Sequence, residues 1–221
     1  MLDKQLFMKP YFLVLVSIIA LLQTGCVVGR RTVALPIPSI DAATAKKGVI
    51  YITSIADART FQKNSAEPST PSVKGNVNTL TIAQKEIIIG RQRNTYGMAM
   101  GDIALPADDS VIKRTRLLIE QGLQHRGYQI SSDSNAPNTA NISIDEFWAW
   151  FTPGFWSVSF EARVSCTINF KKPDDSVKVV VKGYGMNHGQ VASDANWQQA
   201  YDLAFRDFLS KLDAELFKVG F

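Results

Sequence analysis

Residues 156–170 read WSVSFEARVSCTINF. Trp156, Val158, Phe160, Ala162, Val164, Cys166, Ile168 and Phe170 alternate without a break with Ser157, Ser159, Glu161, Arg163, Ser165, Thr167 and Asn169. A period of two is the pleat of a β-strand with one apolar and one wet face. The stretch is too long and too regular for a loop, so it orders the reading of everything around it.

Upstream, NISIDEFWAW (141–150) places Ile142, Ile144, Trp148 and Trp150 on one face, and Thr152, Pro153 and Gly154 supply a turn. The two runs form an antiparallel hairpin. With a three-residue loop, Phe151 pairs with Phe155, Trp150 with Trp156, Trp148 with Val158 and Ile144 with Ala162. This register sets Glu146 against Phe160, a conflict that a bulge near Asp145 or the diagonal Arg163 relieves. Downstream, KKPDD (171–175) is a turn and SVKVVVKGYG (176–185) a third antiparallel strand ended by Gly183, Tyr184 and Gly185, with a polar loop after it. A closing helix, capped by Ser193 or Asp194 and running to about Phe217, carries Trp197, Ala200, Tyr201, Ala204, Phe205, Phe208, Leu209, Leu212 and Leu216 on one broad stripe.

Toward the N-terminus, GVIYITSI (48–55) reads as the first core strand and FQKNSAEPSTPSVKGNVN (61–78) as a long surface loop. TLTIAQKEIIIG (79–90) is strand-like. GRQRNTYGMAMGDIALP (90–106) reads as an irregular glycine-rich loop, without the Gly-Lys-Ser/Thr ending of a phosphate loop or the spacing of a dinucleotide fold. A helix follows from Ser110 to a C-terminal glycine at Gly127, then a short strand, GYQI. These elements predict an α+β fold: a mostly antiparallel twisted sheet with a long aromatic hairpin in a three-stranded meander, and two amphipathic helices on one face.

The chain has 221 residues, 46 % of them hydrophobic, and a formal net charge of +4. Its basic residues are scattered rather than striped, so no nucleic-acid partner is indicated. Lys4 and Lys9 precede the apolar run YFLVLVSIIALL (11–22), which has the length of a secretory signal core and is short of a membrane span. LQTGC (22–26) follows and resembles the lipobox of bacterial lipoproteins, with Gln23 where leucine is usual. The resemblance implies removal of residues 1–25, acylation of Cys26, a tether over 26–46 and one α+β periplasmic domain over 47–221. A single acyl chain holds a bilayer marginally; several make attachment effectively permanent. Val27, where an Asp retains such proteins in the inner membrane, implies the outer membrane of a Gram-negative bacterium, facing the periplasm.

With Cys26 used for lipid, Cys166 has no partner thiol, which excludes an intrachain disulfide and reads as a buried apolar residue. His125 and His188 lie outside any metal spacing, GxSxG is absent, and adjacent Asp145 and Glu146 point to opposite faces of a strand. No cofactor and no catalytic residue is expected. Two candidate sites remain. Trp150, Phe151, Phe155 and Trp156 crowd the hairpin tip, where they pack under a neighbouring loop, meet a partner protein or enter the headgroup region. Arg91, Arg93, His188 and Asp194 are the polar loop residues that a ligand site would use.

The lipobox, LLIEQGLQHRGYQI (117–130), ISIDEF (142–147), the meander and DANWQQAYDLAFRDFLSKL (194–212) together resemble the YajG-type family of uncharacterised bacterial lipoproteins, over residues 45 to 216. GRQRNTYGMAMGDIALP and DEFWAWFTPGFWSVSFEA (145–162) resemble a subgroup, some members of which carry a flagellar biosynthesis label. Together with the absence of a catalytic motif, this predicts a non-enzymatic binding or scaffolding factor in envelope assembly, with an envelope protein as partner and homo-oligomers through a strand edge left open. The alternative is an envelope enzyme or carrier acting on glycan or lipid.

Overall fold

At Asp145 the long hairpin gains one extra residue, and that residue decides which aromatics face which core. In the computed structural model, which describes residues 29–221 apart from 64, 74, 95, 97, 155, 156 and 191, strand β6 (Asn138–Pro153) pairs with β7 (Val158–Lys171). The pairing runs from Thr139 opposite Lys171 to Ile144 opposite Cys166, then shifts so that Glu146 opposes Ser165 and Pro153 opposes Val158. The Asp145 carboxylate is held by the hydroxyls of Ser143 (3.2 Å) and Thr167 (2.8 Å). The bulge passes the inward face from Ile142 and Ile144 to Phe147, Ala149 and Phe151. It sends Trp148 and Trp150 to the opposite face.

The expected register is therefore corrected. Phe151 opposes Phe160, Trp150 opposes Glu161 and Trp148 opposes Arg163, around a longer turn closed by a hydrogen bond from Gly154 N to Ser157 O (2.9 Å). The conflict between Glu146 and Phe160 disappears with it.

β7 runs along one edge of β6, and β8 (Ser176–Gly189) lies outside β7. The other edge of β6 is shared end to end by two parallel strands, β2 (Gly48–Asp57) and β3 (Ile88–Arg93). Outside them lie β5 (Tyr128–Ser131), parallel to β2, then β4 (Ala99–Ala104), antiparallel to β3, and β1 (Arg31–Thr32), parallel to β4. The sheet is eight-stranded and mixed. This corrects the mostly antiparallel reading: long connections return β3, β5 and β6 in the direction of their neighbours, and only the hairpins are antiparallel. Where β2 stops and β3 begins, buried Arg59 fills the gap. Its guanidinium donates to the carbonyls of Ile88 (2.8 Å), Phe147 (2.9 Å) and Lys85 (2.9 Å) and makes a two-point pair with Asp57.

Helices α2 (Val111–His125) and α3 (Asp194–Lys218) pack on one face over a single large core. Ser110 caps α2 and Ser193 caps α3, and the apolar stripe read for the closing helix is buried in full. β8 does not end at Gly183 and Gly185. It continues under α3, and those positions lack side chains because a Cβ would lie 2.3 Å from the Ala204 carbonyl or 2.2 Å from that of Ala200.

The second face has its own core. The segment over 61–78, expected to be a surface loop, folds across Trp148 and Trp150 and contributes Val73, Phe61 and Val77 to a cluster with Ile88. The Trp148 indole donates to the Pro68 carbonyl (3.0 Å). Residues expected as strand over 79–90 begin instead with helix α1 (Ile82–Ile87), set by a capping box between Thr81 and Gln84. Ahead of β2, Val33 and Leu35 are buried, and Val33 N donates to Ala104 O (2.8 Å).

Candidate functional site

Arg91 and Arg93 do not sit in an irregular loop; they occupy alternate positions of β3 in a β3–β4 hairpin. A period of two puts both on one face, where the 61–78 segment brings Ser72 against them. The Ser72 hydroxyl accepts from Arg91 Nη1 (3.2 Å) and Arg93 Nη2 (3.1 Å). Asp102, opposite Arg91 across the hairpin, lies 3.5 Å from Arg91 Nε. Arg91 is 4 % and Arg93 7 % exposed. Burial draws both guanidiniums below their ordinary pKa; for Arg91 the Asp102 charge opposes this and the Arg93 charge adds to it. Both remain cationic, since arginine does not deprotonate in proteins.

The two arginines line a cavity of about 400 Å³ with Ser65, Ala66, Tyr96 and Met98. Tyr96 and Met98 are 88 % and 63 % exposed at the hairpin tip. The described lining is cationic, hydroxyl and apolar, a set suited to holding an anion with an apolar extension.

The other two polar candidates are elsewhere. His188 lies on β8 with Nδ1 3.2 Å from the Ser159 hydroxyl. Asp194, in the first turn of α3, pairs with Arg31 at 2.7 Å. Two strands, β6 and β7, separate His188 from the arginines. Of the aromatic tip residues, Trp150 and Phe151 are 4 % and 8 % exposed and belong to opposite cores. Trp150 lies under the Arg163 guanidinium at 4.9 Å, and Phe151 packs on Trp197 at 6.1 Å. Phe155, Trp156 and Cys26 lie outside the described residues. Cys166 is buried, and burial pushes its thiol well above the ordinary range.

Sequence reading missed Ser72, Asp102, Tyr96 and Met98. The pattern Ile-Gly-Arg-Gln-Arg, with cations at alternate positions after an apolar run, was the available sign of a strand with a basic face.

The topology also gathers one end of the molecule. β3 runs parallel to β6 with Arg91 beside Trp150, so β3, ending at Arg93, and β6, ending at Pro153, leave the sheet at the same end. β1 runs parallel to β4, with Arg31 beside Ile103, and Gly29 N donates to Met100 O (3.2 Å). Gly101 lets that strand approach: a Cβ there would overlap the Gly29 carbonyl. The chain therefore enters the domain at the end that holds the arginine cavity, Tyr96 and Met98.

Among solved structures, the chain matches a Xanthomonas campestris protein at 12 % identity and TM-score 0.41, over 86 % of this chain and 95 % of that one. It also matches a Caulobacter crescentus CB15 protein described as a candidate lipoprotein, at 19 % identity and TM-score 0.31, over 47 % of this chain and 78 % of the other. No curated protein matches it. Residues 103–212, from the end of β4 through most of α3, match the family model described as uncharacterized lipoprotein. The chain belongs to that uncharacterised lipoprotein family, the one its sequence resembles.

Proposed function

We propose that the protein is a lipid-anchored, non-catalytic binding factor of the Gram-negative envelope. It is held in the outer membrane through acyl chains on Cys26, faces the periplasm and serves as an accessory or scaffolding subunit beside an envelope protein. Family membership supports the anchor, and Val27 supports the outer membrane. The observation that carries the reading is the point of entry of the chain. Only Val27 and Val28 separate Gly29 from Cys26, a span of at most about 11 Å for extended backbone. The anchor thus holds the end bearing Tyr96, Met98 and the arginine cavity toward the bilayer, where an exposed aromatic fits headgroup depth.

The test is depth measurement on the lipidated protein in vesicles. An environment-sensitive dye at Met98→Cys is expected to be quenched by quencher-bearing lipids. The same dye at Phe217→Cys, exposed at the far end of α3, is not. Equal quenching at the two positions overturns the orientation, and recovery in the inner-membrane fraction overturns the outer-membrane placement. Buried Cys166 does not compete for the label.

A further inference from the structure

We propose that the cavity beside the β3–β4 hairpin is a phosphate-binding site, with Arg91 and Arg93 as its cationic forks and Tyr96 and Met98 as its apolar rim. Four observations converge on it. Both guanidiniums lie within hydrogen-bond distance of one oxygen, Ser72 Oγ. Two cations are thereby buried side by side on one face, and each repels the other; an anion between them turns that repulsion into attraction. One carboxylate, Asp102 at 3.5 Å from Arg91, faces the two cations, and their other neighbours on that face include the apolar Ile88, Trp148 and Trp150.

The second observation is the shape of the donors. A guanidinium presents a planar fork that matches phosphate oxygens in pairs, and two forks serve a tetrahedral anion better than a flat carboxylate. The third is room: about 400 Å³ beside the forks accepts a phosphate with a substituent. The fourth is the rim, since Tyr96 and Met98 are largely exposed at the mouth. An apolar rim beside a cationic floor fits a phosphate that carries an apolar extension.

The phosphate comes from a phospholipid headgroup or from a soluble phosphate compound. The headgroup form rests on the membrane-facing orientation proposed above; the phosphate chemistry does not. Full-length lipidated protein in phosphate-free maltoside micelles is titrated calorimetrically with inorganic phosphate and, separately, with dihexanoyl phosphatidic acid. Binding of both is expected, with the lipid tighter by about tenfold or more. Equal affinities assign the site to a soluble phosphate instead. Arg93→Gln is expected to weaken both probes by about tenfold or more, with folding checked by circular dichroism. Tyr96→Ala with Met98→Ala, both at exposed positions, is expected to weaken the lipid and leave inorganic phosphate unchanged.

Absence of binding by both probes overturns the proposal, as do unchanged affinities in folded Arg91→Gln and Arg93→Gln. Should the arginine variants not fold, the Nε–Hε NMR signals of Arg91 and Arg93 in the unaltered chain decide. They are expected to shift on addition of inorganic phosphate, and unmoved signals overturn the site. An unquenched dye at position 98 in vesicles leaves these results untouched, so the two readings fail separately.

Discussion

The carboxylate of Asp145 accepts the hydroxyl of Thr167 at 2.8 Å, at the point where β6 carries its extra residue. That bond holds a bulge that sets the faces of Phe147, Trp148, Trp150 and Phe151. Asp145→Ala removes a charged acceptor from two hydroxyls and is expected to cost about 1–3 kcal/mol, read from the urea midpoint. Deletion of residue 145 is expected to abolish folding, because it moves Trp148 and Trp150 toward the helices and Phe147 and Phe151 away from them. A deletion variant with native near-ultraviolet circular dichroism would show that the bulge does not set the faces.

Arg59 replaces the backbone donors missing between β2 and β3. Arg59→Ala is expected to destabilise by about 3–5 kcal/mol, the range for breaking a buried pair. The double variant Asp57→Ala with Arg59→Ala separates two explanations. If the guanidinium matters only as the partner of Asp57, removing both restores stability. The expected outcome is no restoration, since the carbonyls of Ile88, Phe147 and Lys85 remain without their donor.

Gly183 and Gly185 set the distance between β8 and α3. A methyl group at either position meets helix backbone rather than a flexible side chain, so the neighbour cannot yield. Gly183→Ala and Gly185→Ala are each expected to cost about 3 kcal/mol or more, the upper end of overpacking. Trp197, buried in the same helix, then reports red-shifted fluorescence as α3 lifts. Lys182→Ala, next to Gly183 on the solvent face, is expected to be near neutral.

On the outer face of the meander, the Tyr184 hydroxyl donates to Glu161 at 2.8 Å. Partial burial first, and then that bond and the carboxylate charge, push the Tyr184 pKa up to about 12. A raised pKa in an acid favours the neutral folded form. The associated stability is present in full below the unfolded tyrosine value near 10 and is lost as pH rises through about 12. Absorbance at 295 nm is expected to show a late component that Tyr184→Phe deletes and Glu161→Gln moves downward. A titration unchanged by Glu161→Gln would remove the carboxylate from the account.

The elements legible in the sequence are those whose own periodicity reports burial. β7 alternates over its whole length and α3 repeats its apolar stripe over its turns, so each declares one buried face without reference to a partner. The Thr81 and Gln84 capping box was equally local and went unread beneath β-branched neighbours, where the cap outweighed strand propensity.

The sequence by itself determined a strand-and-helix chain with an apolar side to each main element and a stretch, LQTGC at 22–26, that resembles a lipobox. Only the tertiary structure decided the parallel placement of β2 and β3 along β6, the face of each tryptophan, the closing of 61–78 over a second core and the meeting of Ser72 and Asp102 with Arg91. The physical reason is that pairing is non-local. A single bulged residue reverses every face beyond it, and the energy that selects the register lies in contacts between residues tens of positions apart, which no local period records.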